Sequence, residues 1–556
     1  MSRTLFFYIF KDLLRIFFMT SGALAGIMSF GGLLRPLTEH GLDASQAAMM
    51  LSYFMPAMTT YSLPIAALFA TTMVYGRLSA DNELTACRAA GISYRSVAMP
   101  AVVLGLTVAI VSLLFLCFIV PVFTLKVERV IYSNLAQLIA NQIERSHQIK
   151  FEKTTIFAQE AAVGEVDPAY PKEQRVTLGG LMIVALEKEE ASETKKKEER
   201  VAIPREFYLA RKATIFIRPS KSGDEFMLEA KLEGGAMFPR KFSSKETTTG
   251  GLVATDYGPF PIASVIKEDT KFMDIRQLQE LNQDPSQSRR VQEQFVKIIR
   301  LQQEGAFLTD VHEALVHRGG MKELISGTER YEIMAGPGAK ISLIAGKLEV
   351  APAKFVEYRN GELYRSADVG ELELTAQALS DDQLNVQAQL RNVVATTREG
   401  RNDRTSFLRS FVVPATVKTE HLERESNTYL QPNHKISEVD RLALQREWLK
   451  IRNAIHSEMH ARASFAVSCL ILVVVGCFLG MMFRSGNFLS AFALSVMPAL
   501  LCIALIVAGQ HTACNIPYKI EGDFKDPLKL GILLIWSGNV VALALAVIFG
   551  VRMQKQ

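Results

Sequence analysis

Cysteine is scarce in this chain and is missing from its long polar middle. The six cysteines all lie within or beside the apolar ends of the chain, at Cys87, Cys117, Cys469, Cys477, Cys502 and Cys514. The middle must therefore fold without disulfide bonds and without a thiolate metal site. The ordinary interpretation of the six is that they are small buried thiols in membrane helices.

Motifs for nucleotide binding and for hydrolysis are missing as well. A phosphate-binding loop needs Ser or Thr after its Gly-Lys pair, whereas Leu348 follows the nearest candidate, Gly346-Lys347. His456 and His460 are four residues apart, but Glu458 does not directly follow the first histidine, as the zincin pattern requires. No Gly-x-Ser-x-Gly elbow occurs. We expect no enzymatic activity, no cofactor and no metal site.

The chain also lacks basic tracts interleaved with aromatic residues. Its net charge is only +5 over 556 residues, and its Lys and Arg are matched by nearby Asp and Glu. A nucleic-acid partner is therefore not indicated.

Apolar residues make up 49% of the chain and are concentrated at its two ends. Six runs are long enough for the ~20 residues of a spanning helix, at Leu13–Leu34, Ala44–Tyr75, Ser96–Leu125, Ala463–Phe483, Gly486–Gln510 and Leu530–Val551. Arg and Lys before the first run, between the fourth and fifth, and after the sixth place both termini in the cytoplasm by the positive-inside rule. Residues 126–460 are then an insert on the outer side.

The insert has the patterns of two β-rich blocks with helices between them. Phe226–Leu232 alternates apolar and polar residues and is predicted to pair with Thr214–Arg218. Asn360-Gly361 is a strong signal for a tight hairpin, and Asp274–Glu304 has a helical period broken at Pro285. The two β blocks are compatible with two small sheets or with one interrupted sheet.

A short polar helix is predicted between the second and third apolar runs, in the segment GRLSADNELTACRAAGIS at Gly76–Ser93. Ser79 is its predicted N-cap and Gly91 its left-handed stop. Glu83 has no cation three or four residues away in its own helix to pair with, so its partner is either water or a group from elsewhere. A solvated helix and a docking helix are equally compatible with these residues.

Cations stand at the outer ends of two spans: Arg35 after the first, and Lys126 and Arg129 after the third. If these spans pack together, the three would ring the outer mouth of a cavity and could hold lipid phosphates. Simple anchoring by snorkelling cations is the alternative.

The order of three spans, outer β domain and three spans resembles the YjgP/YjgQ permease family, whose members LptF and LptG are membrane subunits of the lipopolysaccharide export ABC transporter. The segment Gly76–Ser93 carries the strongest match, followed by EMHAR at Glu458–Arg462 and GCFLG at Gly476–Gly480. The resemblance implies that Asp81, Glu83, Leu84 and Arg88 couple the chain to an ATPase, and that Arg35, Lys126 and Arg129 contact lipid A phosphates.

The expected fold is an α-helical membrane protein with six transmembrane helices (3+3) and a large periplasmic β-rich, jellyroll-like insert. Its expected domains are spans 1–3 at 1–125 with a coupling helix at 77–92, a jellyroll-like domain at 126–289, an additional module at 290–435, and a connecting helix with spans 4–6 at 436–556. We interpret the additional module as a second jellyroll that extends a lipid path.

The expected function is that of a permease subunit in the bacterial inner membrane that extracts lipopolysaccharide or a related anionic glycolipid. The implied partners are an LptB-like ABC ATPase, a second six-span permease subunit and LptC/LptA-like periplasmic β-jellyroll proteins. The alternative is a scaffold that couples an ATPase to a periplasmic partner without carrying lipid.

Overall fold

A computed structural model describes residues 3–40, 44–133, 135–151, 154–164, 173–188, 202–219, 226–239, 250–252, 255–262, 269–317, 320–344, 346–380, 383–397, 400–415, 430, 437–482, 488–517 and 526–554. The chain forms two compact units. The first comprises Met1–Glu280, Ala454–Ala513 and Leu528–Gln556, and the second comprises Leu281–Asn453 and Cys514–Pro527.

Six helices in the described part of the chain are long and apolar enough to cross a membrane, as predicted. They are α1 (Arg3–His40), α2 (Ala44–Ala80), α4 (Tyr94–Leu114) continued through π-helical Phe115–Ile119 into α5 (Val120–Ser133), α9 (Glu438–Met482), α10 (Phe488–Cys514) and α11 (Leu528–Gln554). Over its most apolar stretch α9 is 72% buried, whereas the corresponding stretch of α1 is 28% buried. The fourth span is therefore the central helix of the bundle.

The predicted polar helix begins later than expected. Helix α2 continues to Ala80, and α3 spans only Glu83–Ala89. Ser79 is not an N-cap, because it lies inside α2 and its Oγ donates to the carbonyl oxygen of Met481 at 3.0 Å. The C-terminal stop is confirmed: Gly91 has φ +77°, and its N–H donates to the carbonyl oxygen of Arg88 at 2.9 Å.

The first sheet belongs to the first unit and is antiparallel. Its strands are β1 (Gln148–Phe151), β2 (Thr154–Phe157), β3 (Glu160–Val163), β4 (Gln174–Lys188), β5 (Ala202–Pro219), β6 (Phe226–Pro239), β7 (Gly250–Leu252) and β8 (Thr255–Ile262). Their order is β1-β2-β4-β5-β6-β7, with β3 on β4 and β8 on β6. The predicted pairing is confirmed, since Thr214 is opposite Lys231 and Arg218 opposite Met227. Helix α6 (Leu135–Ser146) packs Ile139 and Ile143 into the core of this sheet.

The second sheet lies in the second unit, so the two β blocks are separate sheets. It follows helices α7 (Ile275–Gln283) and α8 (Arg289–His317), which are separated at Pro285 as predicted. Its strands are β9 (Met321–Ser326), β10 (Glu329–Ile344), β11 (Lys347–Arg359), β12 (Glu362–Ser380), β13 (Gln383–Thr397) and β14 (Gly400–Pro414). Asn360 (φ 51°) and Gly361 (φ 82°) form the predicted tight turn between β11 and β12.

The strand order of the second sheet differs from the predicted jellyroll. Each of the described strands β9–β14 pairs with the next one along the chain, which is a meander, whereas a jellyroll needs Greek-key crossovers. Tight turns such as Asn360-Gly361 join sequential neighbours and leave no length for a crossover. Side chains from α8 share one buried core with this sheet, in which Leu348, Leu374 and Leu390 are fully buried. An apolar path for lipid through this core is therefore not supported.

Candidate functional site

Helix α3 presents polar groups on one side and is anchored on the other. Asp81 and Arg88 are exposed and Glu83 is half-buried, and the Arg88 guanidinium lies 4.9 Å from the ring centre of Tyr94. Leu84 is only 7% exposed and belongs to the apolar core of the spans. Among the described residues, none forms an ion pair with Glu83. The arrangement holds this carboxylate at a defined place without a hydrogen bond from any described residue.

The chain on either side of α3 is bonded to three spans. Arg77 forms an ion pair with Asp12 of α1, and the Tyr75 hydroxyl donates to the carbonyl oxygen of Val97 in α4 at 2.9 Å. The bond from Ser79 to Met481 adds α9. The end of α2, directly before α3, is therefore bonded to α1, α4 and α9.

Two glycines bring α9 against α2 without space for a side chain. A Cβ atom built at Gly480 would lie 2.8 Å from the carbonyl oxygen of Thr72 and 3.0 Å from the backbone nitrogen of Gly76. One built at Gly476 would lie 2.6 Å from Thr71 Oγ1. Small residues four apart allow two membrane helices to approach closely. Both glycines belong to the GCFLG segment noted in the sequence.

A buried polar cluster surrounds the other sequence match, EMHAR. Arg462 and Glu458 form an ion pair one helical turn apart, with Nε and Oε1 separated by 2.8 Å and side-chain exposures of 3% and 8%. The second carboxylate oxygen of Glu458 accepts from Gln510 Nε2 of α10 at 2.7 Å. The spacing Glu-x-x-x-Arg was available in the sequence, where ionisable residues close to an apolar run indicate function. Sequence reasoning tested only the histidines of this segment. His460 Nδ1 accepts from Trp536 Nε1 at 3.3 Å.

Only one of the three predicted phosphate-binding cations has a described side chain. Lys126 is exposed, and its Nζ lies 4.8 Å from the ring centre of Phe123 and 6.0 Å from that of Tyr53. Such contacts fit a cation at a membrane interface. The side chains of Arg35 and Arg129 lie outside the described residues, so the predicted ring of cations stays a prediction.

An open, largely apolar cavity of about 850 Å³ lies on the first sheet. Phe157, Leu181, Met182 and Leu209 supply most of the apolar lining, and His147 and Arg211 are also at its wall. A cavity of this size lies in the range that holds small amphiphilic ligands. The arrangement suits an apolar chain with an anionic group nearby.

Each sheet also carries a buried ionic group. In the first sheet burial acts to raise the pKa of the Glu173 carboxyl, but hydrogen bonds from Arg175 and Arg218 outweigh it and lower the pKa. In the second sheet burial, followed by the hydrogen bond to Glu329, raises the pKa of Tyr331 to about 12. Because these groups are bonded to side chains of the protein, we assign them to the stability of the sheets and not to ligand binding.

The matched region of the chain includes the first three spans, α3 and the first sheet. Residues 7–302 match the protein-family model described as "Lipopolysaccharide export system permease LptF/LptG", which is just over half of the chain. The chain belongs to the LptF/LptG family. No curated protein matches the chain.

Membership in the LptF/LptG family makes the chain a multi-pass membrane protein of the transport class. The family match ends inside α8, so the second sheet lies beyond it.

Proposed function

We propose that this LptF/LptG-family chain is a permease subunit of an ABC exporter in the bacterial inner membrane. In this proposal it extracts lipopolysaccharide, or a related anionic glycolipid, and passes it to periplasmic β-jellyroll partners. The observation that carries the proposal is the family match over residues 7–302, which spans α3 and the apolar cavity of the first sheet. Both termini and α3 are cytoplasmic, and the sheets are periplasmic.

In the proposed mechanism α3 docks on a separate ABC ATPase. Glu83 accepts a charge-assisted hydrogen bond from the ATPase, because its carboxylate forms no hydrogen bond or ion pair among the described residues. Asp81 and Arg88 contribute exposed charges to the same surface, and buried Leu84 holds the helix against the spans. ATPase closure then moves α2 and, through the contacts of Arg77 and Ser79, also α1 and α9.

The amphiphilic cargo accounts for the cations near the outer ends of the spans and for the apolar cavity of the first sheet. Arg35, Lys126 and Arg129 hold the phosphates at the outer mouth of the bundle, and the cavity of the first sheet shields acyl chains from water. A second six-span subunit completes the membrane cavity. The second sheet has a filled interior and takes no acyl chain in this proposal.

Purification of the full chain from native membranes in mild detergent tests the proposal. We expect an ABC ATPase, a second six-span subunit and a phosphorylated glycolipid to be identified with it by mass spectrometry. Copurification of the ATPase without any glycolipid would instead favour a scaffold that carries no lipid.

Reversal of Glu83 tests the docking contact. A hydrogen bond to a charged group contributes about 1.5–3 kcal/mol, so Glu83→Lys should weaken ATPase binding by roughly 10- to 150-fold. Exposed Glu280 on α7 offers a control with the same change in charge, and Glu280→Lys should leave binding unchanged. Equal ATPase binding by Glu83→Lys and wild type would exclude Glu83 from the contact.

A further inference from the structure

A buried arginine of α9 is bonded to the segment that follows the first sheet. Arg462 is 3% exposed. Its Nη2 atom donates to three backbone carbonyl oxygens, those of Thr270 at 3.1 Å, Lys271 at 3.2 Å and Met273 at 2.8 Å. A single 3₁₀ turn, Thr270–Phe272, leaves most of its carbonyl oxygens without a donor inside the turn. Arg462 therefore donates to carbonyl oxygens of this turn and of Met273, which follows it.

The guanidinium of Arg462 is held in this orientation from two sides. Its Nε donates to Glu458 Oε1 at 2.8 Å, and the other oxygen of Glu458 accepts from Gln510 Nε2 at 2.7 Å. Because both charged side chains are nearly fully buried, neither can turn away without leaving the charge of the other buried and unpaired. The contact with the turn is consequently a fixed one.

Helix α9 runs unbroken from Arg462 to Met481, a length of about 28 Å at 1.5 Å per residue. At Met481 it accepts the bond from Ser79, and at Gly480 its backbone packs directly on α2. One continuous helix thus joins the region next to α3 to the turn at Thr270–Phe272.

We infer that Arg462 is a positioning residue that makes the segment Asp269–Asp274 move together with α9. Since this segment follows β8 in the chain, a displacement of α9 is carried to the chain that comes after the first sheet. The claim that this motion contributes to transport rests on the proposed function, whereas the claim that Arg462 holds the segment Asp269–Asp274 does not.

Hydrogen–deuterium exchange of the full chain in lipid nanodiscs tests the bonding. The amides of Phe272 and Met273 donate within the turn, to Asp269 and Thr270. Arg462→Met removes every donor but keeps a long side chain, and it should raise exchange in the peptide 269–276 at least tenfold. Arg462→Lys keeps the charge but loses the planar fork, and should give an intermediate value. Unchanged exchange in Arg462→Met overturns the inference.

A second arginine on the same helix offers a matched control. Arg452 is 31% exposed and pairs with Asp526. Arg452→Met should leave exchange of the peptide 269–276 at the wild-type value, and an equal rise in both variants would show a general loosening and overturn the inference. Where Arg462→Met does not fold, Glu458→Gln removes the partner charge instead and should raise the same exchange, with no rise overturning the inference.

Transport in the purified exporter, reconstituted with lipopolysaccharide, tests the mechanical part. We expect Arg462→Met to hydrolyse ATP within twofold of wild type while extracting at least tenfold less lipid per ATP, with partial rescue in Arg462→Lys. Wild-type extraction per ATP in Arg462→Met, despite faster exchange at 269–276, overturns the positioning role. Failure of the wild-type exporter itself to extract lipid refutes the proposed function, and the exchange measurement then decides the bonding part alone.

Discussion

Substitution of Gly480 by alanine should open the contact between α2 and α9. The added Cβ would lie 2.8 Å from the Thr72 carbonyl oxygen and 3.0 Å from the backbone nitrogen of Gly76. Both are backbone atoms, which cannot rotate away as the end of a side chain can, so the helices must separate. The substitution therefore tests whether close backbone packing ties the α3 region to the central helix.

The expected size of the effect is the difference of two contributions. Overpacking of a close contact costs about 1–3 kcal/mol, and the backbone contacts at Gly480 place it near the upper value. Alanine gains about 1 kcal/mol over glycine in a helix interior. The net destabilisation of about 2 kcal/mol corresponds to a roughly 30-fold larger open population.

Cys477 is a native probe for this opening, because it is 1% exposed and lies on α9 between Gly476 and Gly480. Its alkylation by N-ethylmaleimide in the folded protein, followed by peptide mass spectrometry, should be about 30-fold faster in Gly480→Ala. Gly26 of α1 provides the control, since a Cβ there meets no atom within 4 Å. Gly26→Ala should not change the Cys477 rate. A wild-type rate in Gly480→Ala would refute the packing argument.

Three further substitutions probe the two sheets. The pKa of Glu173 is lowered in the native state, so its stabilising contribution is present above the unfolded value near 4.3 and is lost as the pH falls through the native pKa. Glu173→Gln should therefore lower the melting temperature of the full chain at pH 7 and lower it less at pH 3. An equal effect at both pH values would contradict the ionic role. Tyr331→Phe removes the hydroxyl that bonds the partly buried Glu329 and Arg409. It should cost about 1–3 kcal/mol, measured as faster amide exchange in β10, and unchanged exchange would contradict this role. Gly361→Ala forces a side chain into φ +82° and should cost roughly 1–2 kcal/mol, seen as faster exchange in β11 and β12 but not in β14.

Local patterns in the sequence predicted the structure correctly where one short-range physical effect dominates. Long apolar runs with almost no charged residues predicted the six spans, because an exposed charge in a membrane is costly. Asn360-Gly361 predicted its turn because two adjacent residues must adopt positive φ, and Gly91 predicted the end of α3 for the same reason.

The same local reasoning was wrong at Ser79. A serine at a helix start and a serine inside a longer helix have the same sequence signal, and the choice depends on what lies beside it. Here the Met481 carbonyl oxygen, 402 residues further along the chain, accepts the serine hydroxyl, and α2 continues to Ala80. The order of strands in the second sheet likewise depended on which edges pair, which alternation of apolar residues does not specify.

The sequence alone thus established the membrane class, the six spans, the two β blocks and Glu83 as a carboxylate without a partner in its own helix, since each depends on residues close together in the chain. Only the tertiary structure showed that Leu84 anchors α3, that Gly480 seats α9 on α2, and that Arg462 bonds the turn at Thr270–Phe272. Those contacts join residues that are far apart in the chain, and a buried arginine acquires its role from the carbonyl oxygens that the fold places around it.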